Sequence, residues 1–349
     1  LPVYIQQIAT ALPTHRYDAE QITRFLITSA QTEEAARKVK LVARKSGIQS
    51  RYSVLNDFNF PNERALFNGH NPKVEERMRT YQREALPLTM QAIRKLEGLR
   101  PAEITHVITV SCTGLSAPGL ELQIAQELEL DQNCARHAVN FIGCHGAFHA
   151  LKMARQMALA DSQARILIVS VELCSLHFQP SEDDDSILAN ALFGDGAAAC
   201  IVSSENPTGI AIQMDGFSQR FFPNDSQLMA WNIHSDGFLL KLSSYVPKVL
   251  ELGIADIFEH EGRPDSSTSW AVHPGGKNIL EAVETGLKLD KGSLDASRQV
   301  LEEVGNLSSA TILFVLKKLM ESAVSDRNLQ ALGFGPGITI EHLYGKIRV

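Results

Sequence analysis

A chain of 349 residues with 44% hydrophobic and 21% charged residues has the composition of an ordinary globular protein, which excludes disorder as its dominant state and leaves room for two domains or two similar halves. The formal charge of −7 argues against a nucleic-acid surface, which needs a basic patch or stripe. The five cysteines are odd in number and contain no C-x-x-C pair, so neither a disulfide framework nor a zinc ribbon fits, and a reducing cytoplasm is the expected compartment. The first residues carry no basic leader and no apolar run reaches about 18 residues, so neither a signal peptide nor a membrane span is expected.

The predicted elements alternate. Residues 4–9 read as a strand and 19–27 as a helix; 31–46 and 74–97 are charge-rich with apolar positions at helical spacing, the pattern of surface helices. The β-branched run 106–112 predicts a buried strand, followed by a helix over 119–130 and a strand over 138–142. The small, apolar segment 144–160 predicts a buried helix, and 165–171 and 197–202 predict further buried strands. The acidic run Glu182-Asp-Asp-Asp185 reads as a solvated loop. Turn composition places the internal boundary at Glu205-Asn-Pro-Thr-Gly209, dividing residues 1–205 from 206–349. Beyond it come a helix over 246–259, a strand over 270–273, helices over 276–287 and 308–322, and a glycine-rich end. Two α/β halves with pockets at strand ends are the expected architecture.

Three polar groups stand out. Cys144, in Asn140-Phe-Ile-Gly-Cys144-His-Gly-Ala, falls just after a strand and in the first turn of a helix, where unpaired N–H groups and the helix dipole favour a thiolate. Alone, it reads more readily as a small core residue. His273 ends a strand and precedes Pro-Gly-Gly, a turn able to present its ring at a site; an imidazolium beside the thiolate would lower the cysteine pKa. Asn306, in Gly305-Asn306-Leu-Ser-Ser, serves either as a helix N-cap or as a donor to a thioester oxygen. Metal binding is not expected: His145 and His149 lie four apart, but position 146 is glycine where H-E-x-x-H has glutamate.

These segments, together with Ala191-Leu-Phe-Gly-Asp-Gly-Ala-Ala-Ala199 and Gly333-Phe-Gly-Pro-Gly-Ile-Thr-Ile-Glu341, resemble in order the type III polyketide synthases, the chalcone synthase-like branch of the thiolase fold, over nearly the whole chain. The resemblance implies an α/β, thiolase-like fold of two similar halves layered αβαβα, the first carrying Cys144 and the second His273 and Asn306. It implies that Cys144 takes a starter acyl group from acyl-CoA, while His273 and Asn306 promote decarboxylation of malonyl-CoA and stabilise the enolate. Phe193 resembles the gatekeeper between a coenzyme A tunnel and the acyl cavity. Cys112, Cys174, His177, Leu240, Gly335 and Pro336 fall at substrate-binding positions, and Lys38 and Lys45 at coenzyme A phosphate positions, with Leu41 where a third basic residue is usual.

The resemblance further implies a homodimer, with Ala117 at a position where plant enzymes carry methionine. It implies no metal or redox cofactor, coenzyme A thioesters entering as substrates only, and no acyl carrier protein as the expected partner. The cavity residues and Met229-Ala-Trp231-Asn-Ile resemble microbial members, pointing to an aliphatic starter and a pyrone or resorcinol-type product. The alternatives are a ketosynthase III-like enzyme using acyl carrier protein, an acyl-thioester hydrolase, and an inactive partner subunit.

Overall fold

The computed structural model describes residues 1–59, 64–243, 245–261 and 267–349, with the side chains of 255, 256 and 259–261 outside the description. Its first half runs β1 (Tyr4–Ala11), β2 (His15–Asp18), α1 (Ala19–Ser29), α2 (Glu33–Ser46), β3 (Ser50–Ser53), α3 (Val74–Ile93), β4 (His106–Ser111), α4 (Leu120–Glu127), β5 (Ala135–Asn140), α5 (Gly146–Ala160), β6 (Arg165–Leu173), α6 (Asp184–Leu192) and β7 (Asp195–Ser203). The second half runs β8 (Ala211–Phe221), β9 (Met229–His234), β10 (Gly237–Leu242), α7 (Val246–Glu261), β11 (Ser269–Val272), α8 (Lys277–Leu287), α9 (Asp295–Val304), α10 (Thr311–Ser322), β12 (Arg327–Gly335) and β13 (Thr339–Arg348).

Nine strands pair in the order β11-β12-β13-β8-β1-β7-β6-β4-β5. The two halves meet where β1 pairs with β8 through Tyr4–Gln213 and Ile5–Ile212. Outward from that seam the first half runs β1, β7, β6, β4, β5 and the second runs β8, β13, β12, β11. Both place the last strand of the half beside its first, and both have parallel pairing only on the far side of that last strand. The repeated order is a duplication that sequence similarity by eye does not show.

Side-chain alternation builds the layers. In β7, Ala197, Ala199 and Ile201 pack into a core with α3, whereas Ala198, Cys200 and Val202 pack into a second core with α5 and α10. A strand buried on both faces has no polar side, which is why β7 reads as an unbroken small apolar run. In β12, Leu329 and Ala331 enter that second core, while Leu332 and Phe334 enter a third with α7 and α8. Three helical layers thus sandwich two sheet halves, the expected αβαβα arrangement.

Some local expectations change. The helix expected over 308–322 opens with a tight turn at Ser308–Ala310 before α10. The acidic run is not merely a solvated loop: the Asp183 carboxylate caps α6 by accepting from the Ser186 N–H at 2.9 Å, and Glu182 accepts from the Gln31 and Thr32 N–H groups at 2.7 Å, tying that loop to the start of α2. The glycine-rich end is two paired strands, β12 and β13, joined by a turn at Pro336 to Ile338.

Candidate active site

Cys144 stands between β5 and α5. The chain reaches it through Phe141 at φ 58° and Gly143 at φ 89°, and the Gly146 N–H donates to the Gly143 carbonyl at 3.0 Å. Glycine is required at 143, because a Cβ there would fall 2.0 Å from Pro336 Cδ in a left-handed conformation. The helix N-cap is His145, so Cys144 lies one residue before the cap rather than in the first turn.

His273 follows β11, anchored by its N–H to the Leu332 carbonyl at 2.8 Å, and the turn closes as the Gly275 N–H donates to the His273 carbonyl at 2.9 Å. Its ring is 1% exposed, and neither ring nitrogen has a protein hydrogen-bond partner. Buried polar atoms left unpaired are costly, so two on one ring mark a group shaped for a ligand.

Asn306 joins the halves. Its N–H donates to Leu192 O and its carbonyl accepts from the Gly194 N–H, both at 2.9 Å, forming a bridge that sets Phe193 beside it. Asn306 Oδ1 accepts from the Ser308 N–H at 2.8 Å. The oxygen thus caps the tight turn, which fixes the amide, while Nδ2 donates to the Gly275 carbonyl at 3.5 Å.

Cys144, His273 and Asn306 line one cavity whose empty space, counted out through its open mouth, is about 1290 Å³. Phe193, Cys112, Cys174, His177, Leu240 and Pro336 line it too. Gly335 does not: its Cα faces His145, where an added Cβ would lie 1.5 Å from Nδ1. Nor do the lysines. Lys38 pairs with Asp184 at 3.0 Å and Glu34 at 3.6 Å, while Lys45 is exposed in the last turn of α2, with Leu41 43% exposed.

Burial pushes the Cys144 thiol up to about 12, against hydrogen bonds from the Ser308 and Asn306 side chains that favour the thiolate. Burial likewise holds His273 down to about 3. The expected imidazolium beside a thiolate is thus opposed at both ends, and each group alone rests neutral. Passing the thiol proton to the imidazole charges both together, so mutual attraction offsets part of both desolvation costs.

His177 is a fixed wall. Its Nε2 lies 2.8 Å from the Thr113 carbonyl, its Nδ1 accepts from the Phe238 N–H at 3.3 Å, and its ring stacks on Phe238 at 4.1 Å. That pairing defines the tautomer with the proton on Nε2, and burial holds the ring neutral, down to about 3. Cys112 Sγ accepts from the Gly143 N–H at 2.9 Å and so braces the turn before Cys144.

Sequence reasoning missed Arg51, Glu172 and Ser308, and named Trp231 within a motif without placing it at the site. Arg51, buried, donates to the carbonyls of Asn190 and Phe193 at 2.6 and 2.7 Å, holding the end of α6. Glu172, also buried, accepts from the Cys112 N–H at 2.9 Å, from Thr113 Oγ1 at 2.8 Å and from the Ser309 hydroxyl, and burial pushes its carboxyl up. Trp231 Nε1 donates to the Cys112 carbonyl at 3.0 Å. The Ser-Ser after Asn306 was the available signal for Ser308; for a charged residue within a strand there was none. Among the described residues, no three His, Cys, Asp or Glu side chains are grouped to hold a metal.

The layered fold and a cysteine, histidine and asparagine on one cavity define a thiolase-like acyltransferase. More particularly, the chalcone and stilbene synthase N-terminal domain matches residues 2–206 and the C-terminal domain matches residues 213–347, so the chain belongs to the chalcone and stilbene synthase family. It is similar to the C-terminal type III polyketide synthase domain of Steely1, a type I/III hybrid from Dictyostelium, at 25% identity and TM-score 0.92 over 100% of both chains. It is also similar to a fungal type III polyketide synthase, ORAS, at 27% identity and TM-score 0.88 over 100% of both chains. A type III pentaketide synthase from Neurospora crassa matches at 27% identity and TM-score 0.87, over 99% of this chain and 100% of that one. The chain is a type III polyketide synthase, an acyltransferase of that family.

Proposed function

We propose that Cys144 carries the growing acyl chain and that His273 and Asn306 act on the malonyl thioester. The observation behind this reading is that both nitrogens of the His273 ring are unpaired in the cavity shared by Cys144 and the fixed Asn306 amide. Neutral His273 takes the thiol proton as Cys144 attacks acyl-CoA and returns it to the departing coenzyme A thiolate. Malonyl-CoA then loses carbon dioxide, and the electron pair left on carbon is delocalised onto the thioester oxygen. An imidazole N–H and the Asn306 Nδ2–H₂ stabilise that oxygen in a site shielded from water. The carbanion attacks the acyl group on Cys144, forming the carbon–carbon bond and freeing the sulfur. Every step uses one thiol, one imidazole and one amide, so the proposed chemistry needs no cofactor beyond the coenzyme A thioesters.

The starter we infer is an aliphatic acyl-CoA, because Ile22, Phe58 and Phe178 extend the cavity with apolar surface away from the reacting residues. A pyrone or resorcinol-type product follows from that starter class. Phe193, at the end of α6, is the proposed gate, and Lys38 and Lys45 the proposed phosphate contacts; Lys38 must then exchange Asp184 for phosphate. Division at 205/206, a homodimer and a cytoplasmic location complete the reading.

Incubation with malonyl-CoA and acyl-CoAs from acetyl to long-chain, with products read by mass spectrometry beside Cys144→Ala, tests it. Cys144-dependent pyrones or resorcinols are expected, with longer starters preferred. Free acids without extension would instead support a hydrolase, and turnover only with acyl carrier protein a ketosynthase III-like enzyme.

A further inference from the structure

A second cavity adjoins the one that holds Cys144. It lies between α1, α2 and α6, encloses about 290 Å³ of empty space, and is walled by Leu26, Ala30, Ala35, Val39 and Ile187. Phe178, Gln179 and Asn190 line both cavities, so one layer of residues parts them. Packed interiors hold few voids larger than a water molecule, and an apolar void lowers stability. Alanine at 30 and 35 keeps this one open where a larger residue would fill it.

The partition has a fixed part and a bare part. Asn190, on α6, accepts from the Gln179 N–H at 3.2 Å with Oδ1 and donates from Nδ2 to the Gln179 carbonyl at 2.7 Å. Gln179 Nε2 in turn donates to the Asp236 carbonyl, between β9 and β10, at 3.0 Å. The Phe178 side chain has no polar atom to tie it. Its ring, buried, is held by edge contacts with Phe25 at 4.9 Å and Phe67 at 5.2 Å between centroids. Shortening that ring joins the cavities without breaking a hydrogen bond.

The lining also selects which part of a substrate enters. On this side of the cavity His177 Nε2 lies 2.8 Å from the Thr113 carbonyl, the Ser175 hydroxyl donates to Asp195 at 2.5 Å, and Ser53 Oγ is 2.7 Å from Ser175 Oγ. Together with Asn190 and Gln179, these groups make their hydrogen bonds within the protein. A growing polyketide carries a carbonyl on every second carbon and would bury those oxygens without donors, whereas an alkyl tail needs no partner.

We propose that the two cavities are successive compartments for the alkyl tail of the starter, and that the Phe178 ring closes the first and so sets the longest starter the enzyme prefers. Resting on the proposed loading of Cys144 from acyl-CoA, this assignment narrows the starter to a fatty acyl group without polar substituents. Phe178 meets only the end of the tail, so it determines specificity and takes no part in the bond-making steps. Asn190 and Gln179 keep the wall around the ring in place.

The test is a chain-length profile. The full chain is given saturated acyl-CoAs of increasing length, with loading efficiency read by intact mass and extended products by mass spectrometry. In the wild type, efficiency should rise about fourfold per methylene, the worth of a buried CH₂, until the tail reaches Phe178, and then stop rising. Phe178→Ala should continue the rise for two further methylenes, making it about 15-fold better than wild type at that length, with short starters loaded as before. Phe178→Leu, which keeps more of the contact with Phe25 and Phe67, should move the limit the same way by less, and serves if the alanine variant fails to fold. Ala30→Phe, which fills the second cavity, should leave the wild-type profile unchanged and cancel the gain of Phe178→Ala. Identical profiles from the wild type and the Phe178 variants would overturn the proposal. So would a gain that survives Ala30→Phe, since the tail would then lie elsewhere. A wild type that shows the loading profile but never extends with malonyl-CoA would instead remove the synthase reading and leave the compartments standing.

Discussion

Asn306 serves the fold through its oxygen and, in the proposed reaction, the chemistry through its nitrogen. Asn306→Asp keeps the oxygen that accepts from the Ser308 N–H but loses the Nδ2 donors, whereas Asn306→Ala loses both. Carbon dioxide release should fall by about 10²- to 10³-fold in either variant, as for loss of an oxyanion donor. Only the alanine variant should also lose about 1 kcal/mol of stability in urea, the usual worth of a cap hydrogen bond; equal carbon dioxide release from all three proteins would remove Asn306 from the reaction. At Gly143 the strain is in the backbone, so Gly143→Ala should cost more than about 2 kcal/mol, through both its φ of 89° and its contact with Pro336. Cys144, His273 and Asn306 were legible in the sequence because each is framed by glycine turns that interrupt an element. Glu172 and Arg51 were not, since a buried charge within a strand has no periodic signature and declares itself only by its partners.

At the scale of elements, α6 and its two ends position the proposed gate. Asp183 caps its start, and Arg51 holds the carbonyls of Asn190 and Phe193 at its finish. Asp183→Ala should cost about 1 kcal/mol in urea unfolding, as loss of an N-cap does. Arg51→Met should cost about 3 kcal/mol, because it leaves those carbonyls and the neighbouring Asp195 without their buried cation. It should also broaden starter choice as Phe193 loses its backbone anchor. Unchanged starter selectivity with the same stability loss would confine Arg51 to the fold. The strands buried on both faces, β4, β6 and β7, could be read directly from β-branched or small apolar runs. The reading did not resolve β8, β9, β10, β12 or β13; in β8, β9, β10 and β13 exposed positions break that run, and β13 sets Tyr344, Lys346 and Arg348 between core residues. Gly335 was assigned to the cavity with its neighbour, but at the end of β12 it faces His145, and Pro336, in the turn that follows, is the one of the two that reaches the cavity.

For the whole molecule, the buried imidazoles set the acid limit of stability. His145, His177 and His273 are held down to about 4, 3 and 3, below the unfolded value near 6.5, so the unfolded chain binds protons that the fold excludes. Their contribution is fully present above about pH 6.5 and is lost as pH falls towards those lower values. Asp195, pushed up to about 6, and Glu172, also raised, act in the opposite sense by binding protons in the fold. With three imidazoles against two carboxyls the imidazole sign prevails, so urea stability should fall by about 1 to 2 kcal/mol per pH unit between pH 6.5 and 5; a flat or rising profile would contradict the neutral burial of these rings. The alternation of strands and helices was visible from periodicity, and the two-halved class from that order together with the family resemblance, while the matching strand order of the halves is a property of pairing that no single sequence displays. The central claim is that Cys144 carries the acyl chain while malonyl-CoA extends it, and intact-mass analysis of the protein after brief exposure to a long-chain acyl-CoA, then to malonyl-CoA, tests it most directly. The expected result is one starter-acyl increment that maps to Cys144, is absent from Cys144→Ala, and is converted to extended product when malonyl-CoA is added. An adduct on another cysteine, or one that survives Cys144→Ala, would contradict the account.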